Sequence, residues 1–181
     1  MGAPKPLLRW GQSAFLEVIC ERLWEAGVGE VVVVLGAEEK EIRKTVRLAR
    51  EKVIVNKRFV LGQLSSLQCG LRSLSPDADA VLVTLVDHPL VSSRTYADLK
   101  GAWEQSPEKI VVATYGGLGG HPVIFPRTLF REIRGAPRDE GARAAVRRDP
   151  GRVRRVECDD PGITSDIDTP EDYTRLVHGA G

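Results

Sequence analysis

At 181 residues the chain is long enough for one domain with a sizeable core and short for two. Its composition, 42% hydrophobic and 28% charged, is that of a folding chain and excludes a disordered tail. A net charge of +1, from 26 basic and 25 acidic side chains, argues against nucleic acid or an anionic membrane as the main partner.

Helix-period and strand-like segments alternate along the chain. Between residues 13 and 26, Phe15, Val18, Ile19, Leu23 and Ala26 recur at helical spacing, with Ser13 as the expected N-cap and Gly27 and Gly29 closing the segment. Residues 30–35 (EVVVVL) form a β-branched run, the pattern of a strand buried on both faces. A charged helix is expected over 38–50, a short strand over 53–55, and a loop over 56–64 entering a helix over 65–74. The strongest strand is 80–86 (AVLVTLV), which stops at Asp87-His88-Pro89. A helix over 94–104 and a strand over 109–114 follow, then a hairpin-like Gly-rich loop over 116–120 and a short strand over 122–125. Two Arg-bearing helices precede a strand over 153–157, and Thr169-Pro170-Glu171-Asp172 opens a last helix with Thr169 as N-cap. This order predicts one α/β domain over residues 1–181, a mostly parallel sheet with helices on both faces.

Ligands of open parallel sheets bind at the carboxyl ends of the strands. Asp87 closes the most apolar strand, where a carboxylate reaches a magnesium ion whose other ligands are phosphate oxygens; Asp87 equally suits a plain turn cap ahead of Pro89. Asp166 and Asp168, in SDIDTPED, close a second strand-to-helix junction and also suit ordinary helix-start chemistry. Together these positions make a candidate metal clamp. Lys5 follows Gly2 in the segment GAPK and sets a point charge where backbone can approach a phosphate. His121 follows two glycines at a strand start and suits a structural role as well as a binding one. Arg143 suits phosphate neutralisation or solvent. His88 and His178 have no partners in sequence that suggest a triad. Three scattered cysteines, Cys20, Cys69 and Cys158, offer neither a disulfide framework nor a zinc site. No apolar run approaches the ~20 residues that span a bilayer, and MGAPKPLLRWG lacks a signal-peptide core, so a reducing cytoplasm is the expected compartment.

Six strings in this order resemble the MobA-like nucleotidyltransferases, most closely the molybdenum cofactor cytidylyltransferase branch. MGAPKPLL resembles the tail of the opening signature LAAGxSxRMGxPKxLL. NKRFVLGQLSSL, from Asn56, is similar to the nucleotide-binding segment N-P-x-W-x-x-G-x-x-x-S-L, with Lys57 in place of the proline. LVDHPLV resembles the metal-binding D-x-P-x-V turn, and GHPVIF, DEGAR and DIDTPED match later landmarks. The resemblance implies a Rossmann-like nucleotidyltransferase fold and magnesium-dependent transfer of a nucleotidyl group, CMP from CTP being favoured, with pyrophosphate released. The acceptor it implies is a phosphorylated small molecule, the molybdenum-bearing pterin in this branch. It implies Lys5 and Asp87 as catalytic residues, with Asp87, Asp168 and Asp166 on magnesium. Gly2, Lys5, Asn56, Gly62, Ser65 and Ser66 would line the nucleotide, and His121 and Arg143 would face the acceptor.

The chain begins at the methionine of the family's RMG, so the first strand and its Gly-rich loop are expected upstream of Met1, and an unpaired edge is expected beside EVVVVL. The favoured expectation is an amino-terminally shortened reading of a longer chain; a degenerate relative is the other. Two further readings stay open: a guanylyltransferase or other nucleotidyltransferase on a different small phosphorylated metabolite, and a non-catalytic accessory protein that binds the cofactor or a molybdenum-enzyme partner.

Overall fold

The computed structural model describes residues 4–137 and 143–178, with Arg143, Ala144 and His178 as backbone only. A short 3-10 turn, Lys5–Leu7, leads into a two-residue antiparallel ribbon, β1 (Arg9–Trp10) against β2 (Ser13–Ala14). Helix α1 (Phe15–Glu25) follows and buries Phe15, Leu16, Ile19, Cys20 and Leu23 along one stripe. Ser13 is not its N-cap. The ribbon holds Ser13 extended opposite Trp10, Ala14 takes the cap position, and the Ala14 N–H donates to the Glu17 carboxylate at 2.8 Å.

Next come β3 (Val32–Leu35), α2 (Glu39–Thr45) and β4 (Lys52–Val55). α2 ends well before residue 50 because Val46 turns extended and buries its side chain in the core. Then follow α3 (Gln63–Leu71), β5 (Ala80–Val83), α4 (Ser93–Glu104), β6 (Ile110–Tyr115) and β7 (Leu118–Pro126). The chain closes with α5 (Phe130–Gly135), α6 (Arg143–Arg148), β8 (Val153–Glu157) and α7 (Pro170–His178).

The expected mostly parallel sheet is a mixed one, in separate pieces. β3 and β4 pair in parallel as a two-stranded sheet. The other sheet has the order β5-β7-β6-β8, in which β6 and β8 are parallel and β7 is antiparallel to both neighbours. The cause is the two-residue turn Gly116-Gly117, with φ of 56° and 77°, which returns β7 directly alongside β6. β5 is shorter than the apolar run 80–86. Its pairing ends at Val83 opposite Val123, and the next residue of β7, Pro122, has no N–H to continue the ladder.

Helices cover both faces. Val33 and Leu35 of β3 bury in one core cluster with Leu16, Ile19, Cys20 and Leu23 of α1. Val34 points the other way, its Cγ2 3.3 Å from the place where a β-carbon on Gly70 of α3 would stand. In the larger sheet Val81 and Val83 pack in a cluster with Leu71 and Ile133, while Leu82 packs with Leu99 and Ile124. Tyr96 and Leu99 of α4, fully buried, each stabilise the fold by about 1.5–3 kcal/mol through burial. Among the described residues no helix is long and apolar enough to cross a membrane.

Candidate functional site

Asp87 does not end a strand; it sits four residues beyond β5, in a turn where the His88 N–H donates to the Leu85 carbonyl at 3.2 Å. Its loop is fastened from three sides. The Ile167 N–H donates to the Asp87 carbonyl at 2.8 Å. Arg22 of α1 donates through Nη1 to the carbonyls of Pro89 at 2.5 Å and Val91 at 2.8 Å, and its guanidinium stacks 4.7 Å from the Trp10 ring. Asp160, buried, accepts from the Ser92 N–H and hydroxyl, both at 2.9 Å, from the Thr95 hydroxyl at 2.5 Å and from the Gly162 N–H at 2.9 Å. Burial opposes the Asp160 charge, but these donors outweigh it and hold the carboxyl below its usual range.

Lys5 joins the two predicted carboxylate positions. Its ammonium lies 3.5 Å from Asp87 Oδ2 and hydrogen-bonds directly to the Asp168 carboxylate. Desolvation works against the ammonium; the hydrogen bond to Asp168 and the fields of Asp87 and Asp168 outweigh it and raise the Lys5 pKa. The Lys5 hydrogen bond and charge pull Asp168 below its ordinary value. Asp168 lies in the irregular stretch before α7 with no strand ahead of it, which corrects the expected strand-to-helix junction. Asp166 lines a neighbouring groove of about 510 Å³ with Trp10, Leu90 and Arg175.

Asp87 Oδ1 is buried without a hydrogen-bond partner, and His88 Nε2 stands 3.9 Å away, beyond hydrogen-bond distance. A buried acceptor left unmade costs about 1–3 kcal/mol, so this oxygen suits a cation. Among the described residues no three His, Cys, Asp or Glu side chains cluster to hold a metal. Asp87 and Asp168 therefore fit an ion that draws its remaining oxygens from phosphate and water, the habit of magnesium.

The Asn56 loop forms a second group. Asn56 is 5% exposed, donates through Nδ2 to the hydroxyls of Ser65 at 2.8 Å and Ser66 at 3.1 Å, and accepts at Oδ1 from the Arg58 N–H at 2.9 Å. The Ser65 hydroxyl lies 2.8 Å from the Gly62 carbonyl and 3.0 Å from that of Arg58. Gly62 takes φ 89° directly before α3, a backbone geometry that a side chain would strain. The Asn56 and Ser65 side chains are thus engaged within the loop. What it presents outward is backbone and the first amides of α3, a natural anion site. Among the described residues no hydrogen bond or ion pair joins this group to Lys5.

His121 and His88 form a tilted ring pair with centroids 5.4 Å apart. His121 Nδ1 lies 3.4 Å from the Val83 carbonyl, and buried His88 places Nδ1 3.3 Å from the Gly162 carbonyl. Gly2 and the side chain of Arg143 lie outside the described residues. Cys20 is an inert buried thiol, pushed up to about 12 by burial. Sequence reasoning missed Arg22 and Asp160, because each acts on residues more than sixty positions away. It also left His88 without a role; its place next to Asp87 was the available signal.

Residues 1–155 match the model of the MobA-like NTP transferase domain. Nicotine blue oxidoreductase of Paenarthrobacter nicotinovorans is 30% identical over 182 residues, covering 96% of this chain and 88% of that protein. Purine catabolism protein PucB of Bacillus subtilis is 33% identical over 114 residues, 62% of this chain and 54% of its own length. Rv0371c of Mycobacterium tuberculosis H37Rv has a crystal structure similar to this one with a TM-score of 0.82 at 28% identity, covering 98% of this chain and 90% of that one. Its complex with manganese gives 0.79 at 25% identity over 97% and 91%, so a divalent ion is at home in a relative. With a family model spanning most of its length, the chain belongs to the MobA-like NTP transferase domain family.

Proposed function

We propose that this chain transfers CMP from CTP to the terminal phosphate of a phosphorylated acceptor, the molybdenum-bearing pterin, with magnesium as the ion. The observation that carries the reading is Lys5, held between Asp87 and Asp168, beside a buried carboxylate oxygen that has no hydrogen-bond partner. An acceptor phosphate oxygen attacks the α-phosphorus, the bond from that phosphorus to the bridging oxygen breaks, and pyrophosphate leaves with the electron pair. Magnesium, held by Asp87 and Asp168, would supply charge neutralisation on the phosphate oxygens.

The residues of the chain have mostly positioning and electrostatic work in such a step. Lys5 is poised to exchange carboxylate partners for triphosphate oxygens, because an incoming divalent ion would compete with it for both carboxylates. Asn56 fixes Ser65 and Ser66, and through them aims the first amides of α3 at the nucleotide. His121 is assigned to the acceptor, while the roles expected of Arg143 and Gly2 fall on atoms outside the described residues. The chain acts in a cytoplasmic compartment.

Turnover of CTP with the acceptor, read as pyrophosphate release, tests this reading. Asp87→Asn is expected to lower kcat by about 100-fold or more while leaving the melting temperature within a few degrees. Undiminished turnover in that variant would remove Asp87 from the reaction. Binding is tested by melting the protein with magnesium and each of CTP, GTP, ATP and UTP. A ligand at a hundred times its Kd stabilises by about 2.7 kcal/mol, and the shift is expected with CTP. A shift with GTP alone would move the reading to guanylyl transfer.

A second reading takes the 30% identical relative at its name, an oxidoreductase of nicotine blue. It predicts reduction or oxidation of that compound and no release of pyrophosphate from any nucleotide.

A further inference from the structure

Asp87 and His88 are neighbours in one turn, and each brings an unsatisfied polar atom to the same place. Asp87 Oδ1 is buried and makes no hydrogen bond. His88, itself buried, sets Nε2 3.9 Å from that oxygen, so no hydrogen bridges the two atoms.

The far side of the imidazole decides what Nε2 is. His88 Nδ1 lies 3.3 Å from the Gly162 carbonyl, and a carbonyl only accepts, so Nδ1 carries the hydrogen. In the neutral ring Nε2 is then a bare lone pair. It stands opposite a carboxylate oxygen, a second lone pair, and two acceptors do not bond each other. An electrophile between them satisfies both. A dication with bonds of about 2.1 Å to each atom can touch both across the 3.9 Å gap, because the two bonds together reach about 4.2 Å.

The ring is also held in this pose from behind. The Gly162 N–H donates to Asp160 Oδ1 at 2.9 Å, which fixes the turn whose carbonyl receives Nδ1–H. The His121 ring lies against His88, with centroids 5.4 Å apart. An imidazole whose far N–H rests on a fixed backbone carbonyl is arranged as metal-ligating histidines are: the contact sets the ring's orientation and raises the basicity of its other nitrogen.

We propose that His88 Nε2 is a ligand of the divalent ion held at Asp87, and that this nitrogen ranks first-row transition dications above magnesium there. The inference rests on the ion at Asp87 in the transferase reading and deepens it by naming the class of ion. Magnesium is a hard cation that takes oxygen ligands, whereas imidazole suits the transition metals. Asp168 is engaged by Lys5, so Asp87 and His88 are the part of the site already in place. Phosphate and water supply further oxygens.

Manganese(II) is the probe, because it stands lowest in the transition series and so asks most of the nitrogen. The chain is loaded with manganese(II) alone, without nucleotide. Electron spin-echo modulation is recorded with histidine of natural isotope content and again with histidine carrying the heavy nitrogen isotope. A coordinated imidazole imprints a nitrogen frequency that the label shifts, and this is expected in the parent. His88→Asn keeps an N–H for the Gly162 carbonyl and removes Nε2. That variant is expected to lose the histidine modulation, to bind manganese about tenfold or more weakly, and to shift its magnesium Kd by less than about threefold. Asp87→Asn is expected to weaken both ions by about tenfold or more. Manganese bound through Asp87 without a label-sensitive modulation would overturn the proposal and leave the transferase reading standing. Modulation that survives in His88→Asn would overturn it as well, and so would an equal loss of both ions in that variant. Binding that Asp87→Asn does not weaken would remove the ion from Asp87, and with it both readings. Should His88→Asn fail to fold, His121→Asn takes its place: it is expected to keep the modulation, and loss there would overturn the assignment to His88.

Discussion

Lys5 is the residue on which the site's electrostatics turn. Each of its ion pairs is partly exposed and screened by solvent, so its loss should cost the fold little. Its loss should instead lower turnover by about 100-fold, the scale of removing one preorganised charge from a transition state. Lys5→Met separates the two effects, with denaturant melts reporting stability and pyrophosphate release reporting turnover. The pH dependence has a definite sign. Because Asp168 is depressed from its ordinary 3.8 by Lys5, its pairing stabilises the fold fully above that value and is lost as pH falls through the folded one. The variant should therefore lose less stability than the parent on acidification below about pH 4, and its Asp168 carboxyl resonance should titrate at higher pH. Equal acid sensitivity in the two proteins would show that the pair does not persist in solution. Asn56 acts differently, through Ser65 and Ser66. Asn56→Ala removes three hydrogen bonds made by a buried side chain, to the Ser65 and Ser66 hydroxyls and from the Arg58 N–H, and should cost about 1–3 kcal/mol. It should also raise KM for the nucleotide with little change in kcat. A fall in melting temperature with KM unchanged would confine Asn56 to holding its loop.

Among the elements, the turn under the Asp87 loop has no room for a side chain at Gly162. A β-carbon on Gly162, in the 3-10 turn Pro161–Ile163, would stand 2.6 Å from the Leu90 carbonyl carbon and 2.7 Å from the Val91 nitrogen. Backbone cannot give way there cheaply, because Arg22 and Asp160 already fix that loop. Gly162→Ala should cost about 1–3 kcal/mol, the scale of overpacking, and should lower turnover by displacing Asp87 and His88; calorimetry and pyrophosphate release measure the two. Unchanged stability would mean that residues 87–91 yield more readily than their hydrogen bonds imply. The same region shows what the sequence could and could not tell. β8 lies at the expected 153–157, and Thr169 caps α7 as read, accepting from the Asp172 N–H at 3.1 Å, because both depend on neighbours in the chain. Lys5, Asp87 and Asp168 were legible as charges beside turns, and their convergence was legible only through the family resemblance. The end of β5 was not legible: β-branched Thr84 and apolar Leu85 and Val86 suit a strand as well as residues 80–83 do, and it is Pro122 on β7 that leaves the ladder no continuation. Arg22 was illegible for a related reason. An arginine in an amphipathic helix carries no mark that it will hold carbonyls 67 and 69 positions on.

At the scale of the whole molecule, the two sheets share no ladder among the described residues, and side-chain packing unites them. One apolar cluster joins α1 and β3 to Val91 and Tyr96 and takes in Leu82 of β5 at its margin. Packing of this kind transmits stability less cooperatively than a continuous ladder, and a two-stranded sheet alone is marginal in water. The halves also differ in support. β6 is bonded on both sides, by β7 and β8, and its residues Ile110, Val111 and Ala113 are fully buried. β3 has β4 alone, and α2 behind it is only seven residues long. Native-state exchange should therefore be graded. Amides of β3 and β4 should open through a local transition at least tenfold more often than those of β6 and β8, which should exchange only on global unfolding. The grading would place the Asn56 loop, which follows β4, on the less stable half, and Asp87 and Asp168 on the more stable one. Binding a nucleotide across both groups would then narrow the gap, because the ligand would couple the two halves through contacts that their backbones do not make. If β3 and β6 exchange at one rate without any ligand, packing alone suffices for cooperativity, and the break in the sheet has no energetic consequence.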